Sequence, residues 1–420
     1  MSFGQMKKNI VIICTMYYPE MDAPSSVINK IIREISHEYN FYVITKTNKL
    51  PSEYKRKNNI FYIESIRHKI QRRCYSNLRQ KRNVFLSQGI ITIIGLYKLF
   101  LTQFRHPNAN AWESKAYYRQ LTVLSKQIQI YAIIGVSSEV FCQYGIKKFK
   151  EREKNIKWIQ FITDPFTENY IYYRYKLFPQ KWEKWNLRDE KSFYELCDGA
   201  MLTPEMYTRT IVKFPEYASK CKKMHFALQD FSALWKPNKS NSRQVRLIYA
   251  GAVYKDIRNP EVMMKTCSSI PDIHLDMYTN LGDSRGECDA ILNQYKSDNI
   301  RVLPYVPKDQ YLDMICNEYD VLVNIGNISD LQAPSKMLDL LSTGRPILNF
   351  YFIKDAQYHM IERYPLGMNV HCDDCYDVKL IRRFCYDMRG KRLPFEEVKK
   401  LYPEHCIEQQ VRIFIDLLSN

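Results

Sequence analysis

Four motifs that mark common enzyme classes are missing from this 420-residue sequence. It contains no HExxH, no P-loop, no GxSxG and no GxGxxG. These motifs supply, in turn, a zinc site, a phosphate cradle, a nucleophilic serine and a dinucleotide-binding turn. The eight histidines show no metal-ligand spacing. A metalloprotease, a P-loop NTPase, a serine hydrolase and a dehydrogenase therefore lack support.

Repeats, low-complexity tracts and a secretory signal are absent too. The first apolar run near the N-terminus is only about five residues long, which is too short for a signal core and typical of a buried strand. The twelve cysteines are scattered, and the single CxxC pair, Cys372 and Cys375, cannot fill a tetrahedral metal site. We expect reduced thiols in the cytoplasm and no bound metal.

Positive charge, in contrast, is abundant and unevenly distributed. The chain carries a net charge of +17. Sixteen Lys and Arg and three acids lie between residues 46 and 119, so this region alone contributes +13. Such a one-sided region indicates a polyanionic partner, which is either nucleic acid or an anionic membrane surface.

One apolar segment lies inside this basic region. Residues 84–104, "VFLSQGIITIIGLYKLFLTQF", follow the basic stretch "RQKRN". Lys98, two glycines and several polar residues argue against a membrane span. A helix lying in the membrane interface fits better, with its basic flank on the headgroups. A buried core helix and a true span remain alternatives. We expect a peripheral protein on the inner face of the cell membrane.

Short apolar runs alternate with amphipathic stretches along most of the chain, which is typical of parallel β-α-β units. The polar residues 229–244 form the best linker. The pattern predicts two doubly wound α/β domains. These are an N-terminal domain over 1–228, which includes the membrane-facing region 46–119, and a C-terminal domain over 245–403. We expect the last helix, 404–420, to pack back on the N-terminal domain.

The stretch "QAPSKMLDLLSTGRPIL" predicts a short helix between two buried strands. Pro334 suits its first turn and Gly344 the position just after its end. Ser335, Asp339 and Ser342 are spaced to share one polar face. In doubly wound folds, helix N-termini point at the ligand edge of the sheet. Asp339 there could accept hydrogen bonds from the two hydroxyls of a ribose.

The same stretch resembles the C-terminal signature of retaining GT-B glycosyltransferases of the family-4-like group. Asp339 falls on the second acid of that signature, which binds ribose. Leu331 falls on the first acid, which contacts the donor sugar, so that role is vacant unless Asp330 supplies it. The resemblance implies two Rossmann-like domains that face each other across a cleft.

A second segment, "IYAGAVYKDIRNPEVMM", resembles the opening of the family's second domain. Gly251 matches its glycine. The resemblance makes Arg258 the first phosphate ligand, Lys255 the second and Lys336 the third.

In the first domain, "WIQFITDPFTEN" resembles another family segment, in which Asp164 and Pro165 match and Thr163 replaces an arginine. The loop "YYPEMDAPSSV" resembles a family loop whose glycines are replaced here. We take Asp164 as an acceptor-side group.

The resemblance implies a metal-independent hexosyltransferase that uses a nucleotide sugar, taken as a UDP-sugar, and needs no other cofactor. The base of the nucleotide would lie near Val306. A glycan or an isoprenoid-linked acceptor would place the enzyme in surface polysaccharide biosynthesis. Asp164 and Asp330 are the catalytic candidates, and Gly251, Lys255, Arg258, Ser335, Lys336, Asp339 and Val306 are the donor-binding candidates.

Other interpretations remain open. The chain could be a non-catalytic GT-B-like scaffold that positions a partner transferase, which the vacant first acid favours. A nucleic-acid binder would explain the basic region but not the second domain. A hydrolysing epimerase of nucleotide sugars lacks assignable acid/base carboxylates. Asp339 could simply be solvated, Arg258 could pair with Glu261, and Asp164 could be a turn residue.

Overall fold

The computed structural model describes residues 7–18, 21–46, 57–108, 110–137, 139–169, 172–173, 176–236, 244–253, 258–279, 281–295, 297–328, 335–373 and 376–419. The chain divides into two compact units. Unit 1 comprises Met1–His225 together with Glu408–Asn420, and unit 2 comprises Phe226–Ile407.

Unit 1 is built around a parallel sheet. Its strands within the described residues are β1 (Lys8–Ile13), β2 (Tyr39–Lys46), β3 (Ile60–Ile63), β4 (Ile130–Ser137), β5 (Lys157–Ile162), β6 (Gly199–Leu202) and β7 (Cys221–Lys223). They lie in the order β3-β2-β1-β4-β5-β6-β7. The chain therefore reverses its direction of winding between β1 and β4, and such switch points are where doubly wound sheets bind ligands.

Helices connect these strands. They are α1 (Ala23–Ile35), α2 (Ile66–Arg79), α3 (Val84–Phe104), α4 (Trp112–Ser125), α5 (Phe141–Lys150), α6 (Pro179–Leu196) and α7 (Pro204–Lys213). The central strands are almost wholly apolar because both faces of a parallel sheet are covered. In β1, Ile10, Val11, Ile12 and Ile13 are all fully buried.

Unit 2 repeats this architecture. Within the described residues its strands are β8 (Val245–Ala250), β9 (Ile273–Thr279), β10 (Ile300–Pro304), β11 (Val321–Ile325), β12 (Ile347–Tyr351) and β13 (Gly367–His371). They are parallel and lie in the order β10-β9-β8-β11-β12-β13. The switch point of this sheet lies between β8 and β11.

The helices of unit 2 are α8 (Glu261–Ser268), α9 (Leu281–Tyr295), α10 (Lys308–Asn317), α11 (Ser335–Ser342), α12 (Ala356–Arg363), α13 (Val378–Met388) and α14 (Phe395–Leu401). Helix α11 is the one predicted from "PSKMLDLLSTGRPIL", and strands β11 and β12 flank it as expected. Gly344 follows its end with φ +70°. This left-handed conformation is the reason a glycine ends the helix there.

A last helix, α15 (Ile407–Ser419), belongs mostly to unit 1. The carbonyl oxygen of Leu418 accepts hydrogen bonds from the Tyr131 hydroxyl at 2.6 Å and from Lys157 Nζ at 2.7 Å. The Gln410 side chain accepts one from the His225 amide at 2.9 Å. These contacts hold α15 against β4, β5 and the segment after β7.

The structure differs from the predicted elements at the edges of the sheets. The structure places β3 and β13 at the sheet edges, and within the run 222–228 the strand extends only to Lys223. Part of the predicted linker, residues 237–243, lies outside the described residues. Before it, the Gln229 amide donates to Ser342 Oγ at 3.0 Å, which ties the start of this segment to α11 within unit 2. The predicted domain boundaries stay a prediction.

Candidate functional site

Arg258 links the chain after β8 to the chain after β11, at the switch point of unit 2. It follows β8 in sequence, and its guanidinium donates two hydrogen bonds to Asn327 Oδ1, from Nε at 3.0 Å and from Nη2 at 2.7 Å. Asn327 lies two residues after β11. A third, long contact of 3.5 Å runs from Nη1 to the Ala252 carbonyl oxygen. Arg258 has no ion pair with Glu261 within the described residues.

Lys336 supplies a second cation from the first turn of α11. Its Nζ lies 5.6 Å from the centre of the Tyr249 ring. Burial, and then the positive charge of Arg258, lower the pKa of Lys336 to about 7, and the charge of Asp339 opposes this effect. No carboxylate forms a salt bridge with Arg258 or Lys336 among the residues the structure describes. Among the described residues the pair is therefore a concentration of positive charge without a bonded carboxylate.

Gly251 leaves the space that Lys336 occupies. A Cβ atom added at this position would lie 2.7 Å from Lys336 Nζ and 2.9 Å from the Tyr249 hydroxyl. That hydroxyl donates to the Ala252 carbonyl oxygen at 3.0 Å, and burial raises the pKa of Tyr249. A glycine is needed at residue 251 because two side chains approach its backbone closely.

Asp339 lies one turn after Lys336 on α11 and is partly buried. Burial, and then the charge of Asp339, raise the pKa of Tyr311. The Tyr311 hydroxyl is buried and has no hydrogen-bond partner within the described part of the chain. Asp339 is therefore half-buried and close to Tyr311. Ser342 departs from the expected polar face, because it is buried and its hydroxyl binds the Gln229 amide.

The remaining donor-side candidates are placed less fully. Ser335 begins α11, but its side chain lies outside the described part, as do Lys255 and Asp330 entirely. Val306 follows β10, an edge strand of the sheet. Its neighbour Tyr305 is close enough to Tyr249 to contribute to the raised pKa of Tyr249. The structure thus brings together Gly251, Arg258, Lys336 and Asp339, and leaves Val306 at the margin of the group.

Asp164 lies in unit 1, directly after β5. Thr163 Oγ1 donates to Asp164 Oδ2 at 2.8 Å. Burial raises the pKa of Asp164, the Thr163 hydrogen bond lowers it, and the charge of Asp22 raises it further. Asp22 caps α1 by accepting from the Ser25 amide at 3.0 Å. Two carboxylates therefore lie near each other at the carboxyl edge of the first sheet.

A charged cluster that sequence reasoning missed lies at the same edge. Lys46 Nζ is 2.8 Å from Glu139 and 3.3 Å from Glu113. Burial raises the pKa of Glu113 to about 7, while Lys46 lowers it and Glu139 raises it. Lys46 ends β2 and Glu139 follows β4, so the strand pattern alone placed these two at one edge. Nothing in the sequence indicated that Glu113 of α4 joins them.

The apolar segment 84–104 is the helix α3, and it is exposed. By length and composition it could cross a membrane. Only 6% of its most apolar window is buried inside the protein. The core-helix alternative is therefore wrong. Among the described residues there is no group of three or more His, Cys, Asp or Glu side chains that could hold a metal ion.

Comparison with known proteins gives a match in structure but not in sequence. No family model and no curated protein matches the chain. HepE of Anabaena, solved in complex with UDP and glucose, matches with a TM-score of 0.60 at 7% identity, over 98% of this chain and 99% of that one. A glycosyltransferase of Rickettsia africae matches with a TM-score of 0.61 at 9% identity, over 99% and 98%. A TarM variant of S. aureus in complex with UDP matches with a TM-score of 0.60 at 10% identity, over 98% and 100%.

At these identities the likeness shows the fold. The chain has the two-domain α/β fold of GT-B glycosyltransferases over its whole length, with a parallel Rossmann-like sheet in each domain. The predicted fold class is confirmed.

Proposed function

We propose that this protein is a glycosyltransferase that moves a hexose from a UDP-sugar to an acceptor. One observation carries the proposal. Arg258 and Lys336, which have no bonded carboxylate within the described residues, stand together at the switch point of unit 2, where such folds bind their ligands. Two similar structures were solved with UDP, and a nucleoside diphosphate is the kind of anion this pair suits.

The donor would lie on unit 2. The forked guanidinium of Arg258 suits a phosphate, and Lys336 adds a point charge beside it. Asp339 would accept hydrogen bonds from the ribose hydroxyls, and the base would lie towards Val306. Lys255, Ser335, Asp330 and the backbone at Gly251 complete the proposed donor contacts.

The two cations also account for the chemistry. When the bond between the sugar and the phosphate breaks, negative charge grows on the departing diphosphate. Fixed positive groups stabilise that charge without reorganisation. We propose that they do so without a metal ion and that the transfer retains the configuration of the sugar. No protein nucleophile is assigned.

Asp164 is proposed to act on the acceptor side. Because its pKa is raised, Asp164 stays partly protonated up to a higher pH than an exposed aspartate does. The exposed helix α3 and the basic region around it support a peripheral location on the inner face of the cell membrane. An acceptor built there as a glycan or on an isoprenoid lipid would serve surface polysaccharide synthesis.

Titration of UDP and UDP-sugars against the full chain by calorimetry tests the donor site. We expect binding by the wild type and an affinity about 10- to 100-fold lower for Arg258→Ala, because one or two charge-assisted hydrogen bonds are lost. Arg383→Ala is the matched control, since Arg383 is exposed in the same unit and pairs with Asp387 at 3.3 Å. A wild type that binds no nucleotide would favour the non-catalytic scaffold instead.

A further inference from the structure

Helix α3 has one apolar face that is open to solvent. Phe85 is 94% exposed and Phe104 is 70% exposed. With 3.6 residues per turn, six of the nine large exposed apolar side chains of α3 fall within about 100° of the helix circumference. They are Phe85, Leu86, Ile93, Leu96, Phe100 and Phe104. Leu177 and Phe178 extend the patch, because the Leu177 amide donates to Gln103 of α3 at 3.1 Å.

Two cations lie on the other side of this helix, where it packs against α2. Lys98 Nζ is 3.3 Å from Gln71 Oε1 on α2. Arg67, one turn earlier on α2, donates from Nη2 to Asn110 Oδ1 at 3.3 Å. Neither cation forms a salt bridge within the described residues. The first turn of α2 contains no acid, although helices favour acids there.

The field at these two cations is positive, although Lys46 nearby is paired with Glu113 and Glu139. Burial, and then the charge of Arg67, lower the pKa of Lys98, while Glu113 and Glu139 oppose this. Burial, and then the charges of Lys46, Lys98, Arg72 and Arg67, lower the pKa of His68 to about 4. The Nδ1 atom of His68 is buried without a hydrogen-bond partner in the described part of the chain. Such a concentration of positive charge suits an anion with several oxygens.

The position of the cation pair matters for the reaction. Lys98 lies close enough to Lys46, Glu113 and Glu139 for their charges to act on its pKa. Those three groups lie at the carboxyl edge of the first sheet. An anion held by Arg67 and Lys98 would thus sit beside the edge where the acceptor is proposed to bind.

We propose that Arg67 and Lys98 bind the diphosphate of a lipid-linked acceptor while the apolar face of α3 lies in the membrane interface. This rests on the proposed function insofar as the lipid carries the acceptor sugar. A free phosphate compound would need the cations but would leave the apolar face uncovered. A lipid in a bilayer satisfies both features at once, because its phosphate meets the cations and its neighbours cover the helix.

Vesicle co-sedimentation of the full chain tests the proposal. Phosphatidylcholine vesicles that contain an isoprenoid diphosphate are compared with vesicles that contain phosphatidylglycerol at the same surface charge. We expect the wild type to bind the diphosphate vesicles at least tenfold more tightly. The double variant Arg67→Gln/Lys98→Gln should lose this preference and bind both kinds of vesicle alike.

Lys69→Gln/Arg73→Gln is the matched control, because it removes the same charge from exposed positions of α2. It should keep the preference and weaken binding to both vesicles equally. Equal behaviour of the two double variants, or no preference in the wild type, would overturn the proposal. Competition by inorganic pyrophosphate as strong as that by the lipid would also overturn it, because it would indicate a site for a free anion. Displacement of the vesicles by a single-stranded oligonucleotide would overturn it as well.

Nucleotide binding separates this proposal from the donor site. Arg67→Gln/Lys98→Gln should bind UDP as the wild type does, which also shows that the variant is folded. If the wild type binds no UDP but keeps the lipid preference, the proposed function fails and the lipid site stands.

Discussion

Arg258 and Lys336 are costly residues to keep together. A partly buried cation loses hydration, and a second cation nearby adds repulsion, so a chain that needed only stability would pair or replace them. Here Arg258 is held by the neutral side chain of Asn327, and Lys336 by none of the described carboxylates. An anionic ligand resolves both costs, which is why this pair carries the proposed function.

The pKa of Lys336 gives a pH prediction. Since this pKa is about 7 in the free protein, Lys336 is largely neutral at pH 8, and a bound diphosphate would raise its pKa again. UDP binding at pH 8 should therefore take up a proton, and affinity should fall as the pH rises above 7, by up to about tenfold per pH unit. Calorimetry in two buffers of different ionisation enthalpy measures the uptake.

Lys336→Met provides the control for this experiment. The variant should bind UDP more weakly and lose the proton uptake, and equal uptake in both proteins would contradict the assignment. The same substitution should lower the affinity for UDP but raise the stability of the fold. The unfolded chain holds the Lys336 proton more tightly than the folded chain, so this group destabilises the fold below pH 7 and ceases to do so as the pH rises towards 10.5. Lys336→Met should therefore have a higher melting temperature at neutral pH.

Helix α11 determines where Lys336 and Asp339 stand, and its end depends on a single residue. Gly344 has φ +70°, and an added Cβ would collide with the Leu393 carbonyl oxygen. Gly344→Ala should cost about 2–4 kcal/mol in the free energy of unfolding, from backbone strain and overpacking together. Urea unfolding followed by circular dichroism measures this loss.

Gly286→Ala is the comparison for Gly344→Ala. Gly286 lies in the helix α9, and among the described residues nothing lies within 4 Å of the Cβ that it lacks. Alanine there should stabilise the protein by about 0.5–1 kcal/mol. If Gly344→Ala and Gly286→Ala changed the free energy of unfolding alike, backbone strain and overpacking at Gly344 would not be what limits the end of α11.

At the scale of the molecule, we expect UDP to bind unit 2 and not unit 1. Bound UDP stabilises the residues that contact it, and at 100 times its dissociation constant it adds about 2.7 kcal/mol. Hydrogen exchange with and without UDP should therefore show the strongest protection in unit 2, after β8, after β11 and along α11. Strongest protection around β1 and β4 of unit 1 would place the donor on the wrong unit.

Much of this architecture could be predicted from the sequence. The strands β1, β4 and β11 are continuous apolar runs because both of their faces are covered, and such runs stand out in any reading. Strands β3 and β13 are harder to predict, since both are short edge strands. Strand β3 has only four residues, and β13 mixes apolar and polar residues. The structure groups four of the site candidates, which are Gly251, Arg258, Lys336 and Asp339. They come from segments that follow or flank central strands.

The sequence by itself determined the two parallel α/β sheets, the helix with Asp339 between two buried strands, and the basic, apolar region around α3. Each depends on local spacing, charge or apolar periodicity, which a chain carries in linear order. Only the tertiary structure decided that Arg258 binds Asn327, that Glu113 joins the pair of Lys46 and Glu139, and that Lys98 binds Gln71 of α2. These partners are 27 to 93 residues apart, and strand order and helix packing bring them together, because parallel sheets gather the ends of distant strands at one edge.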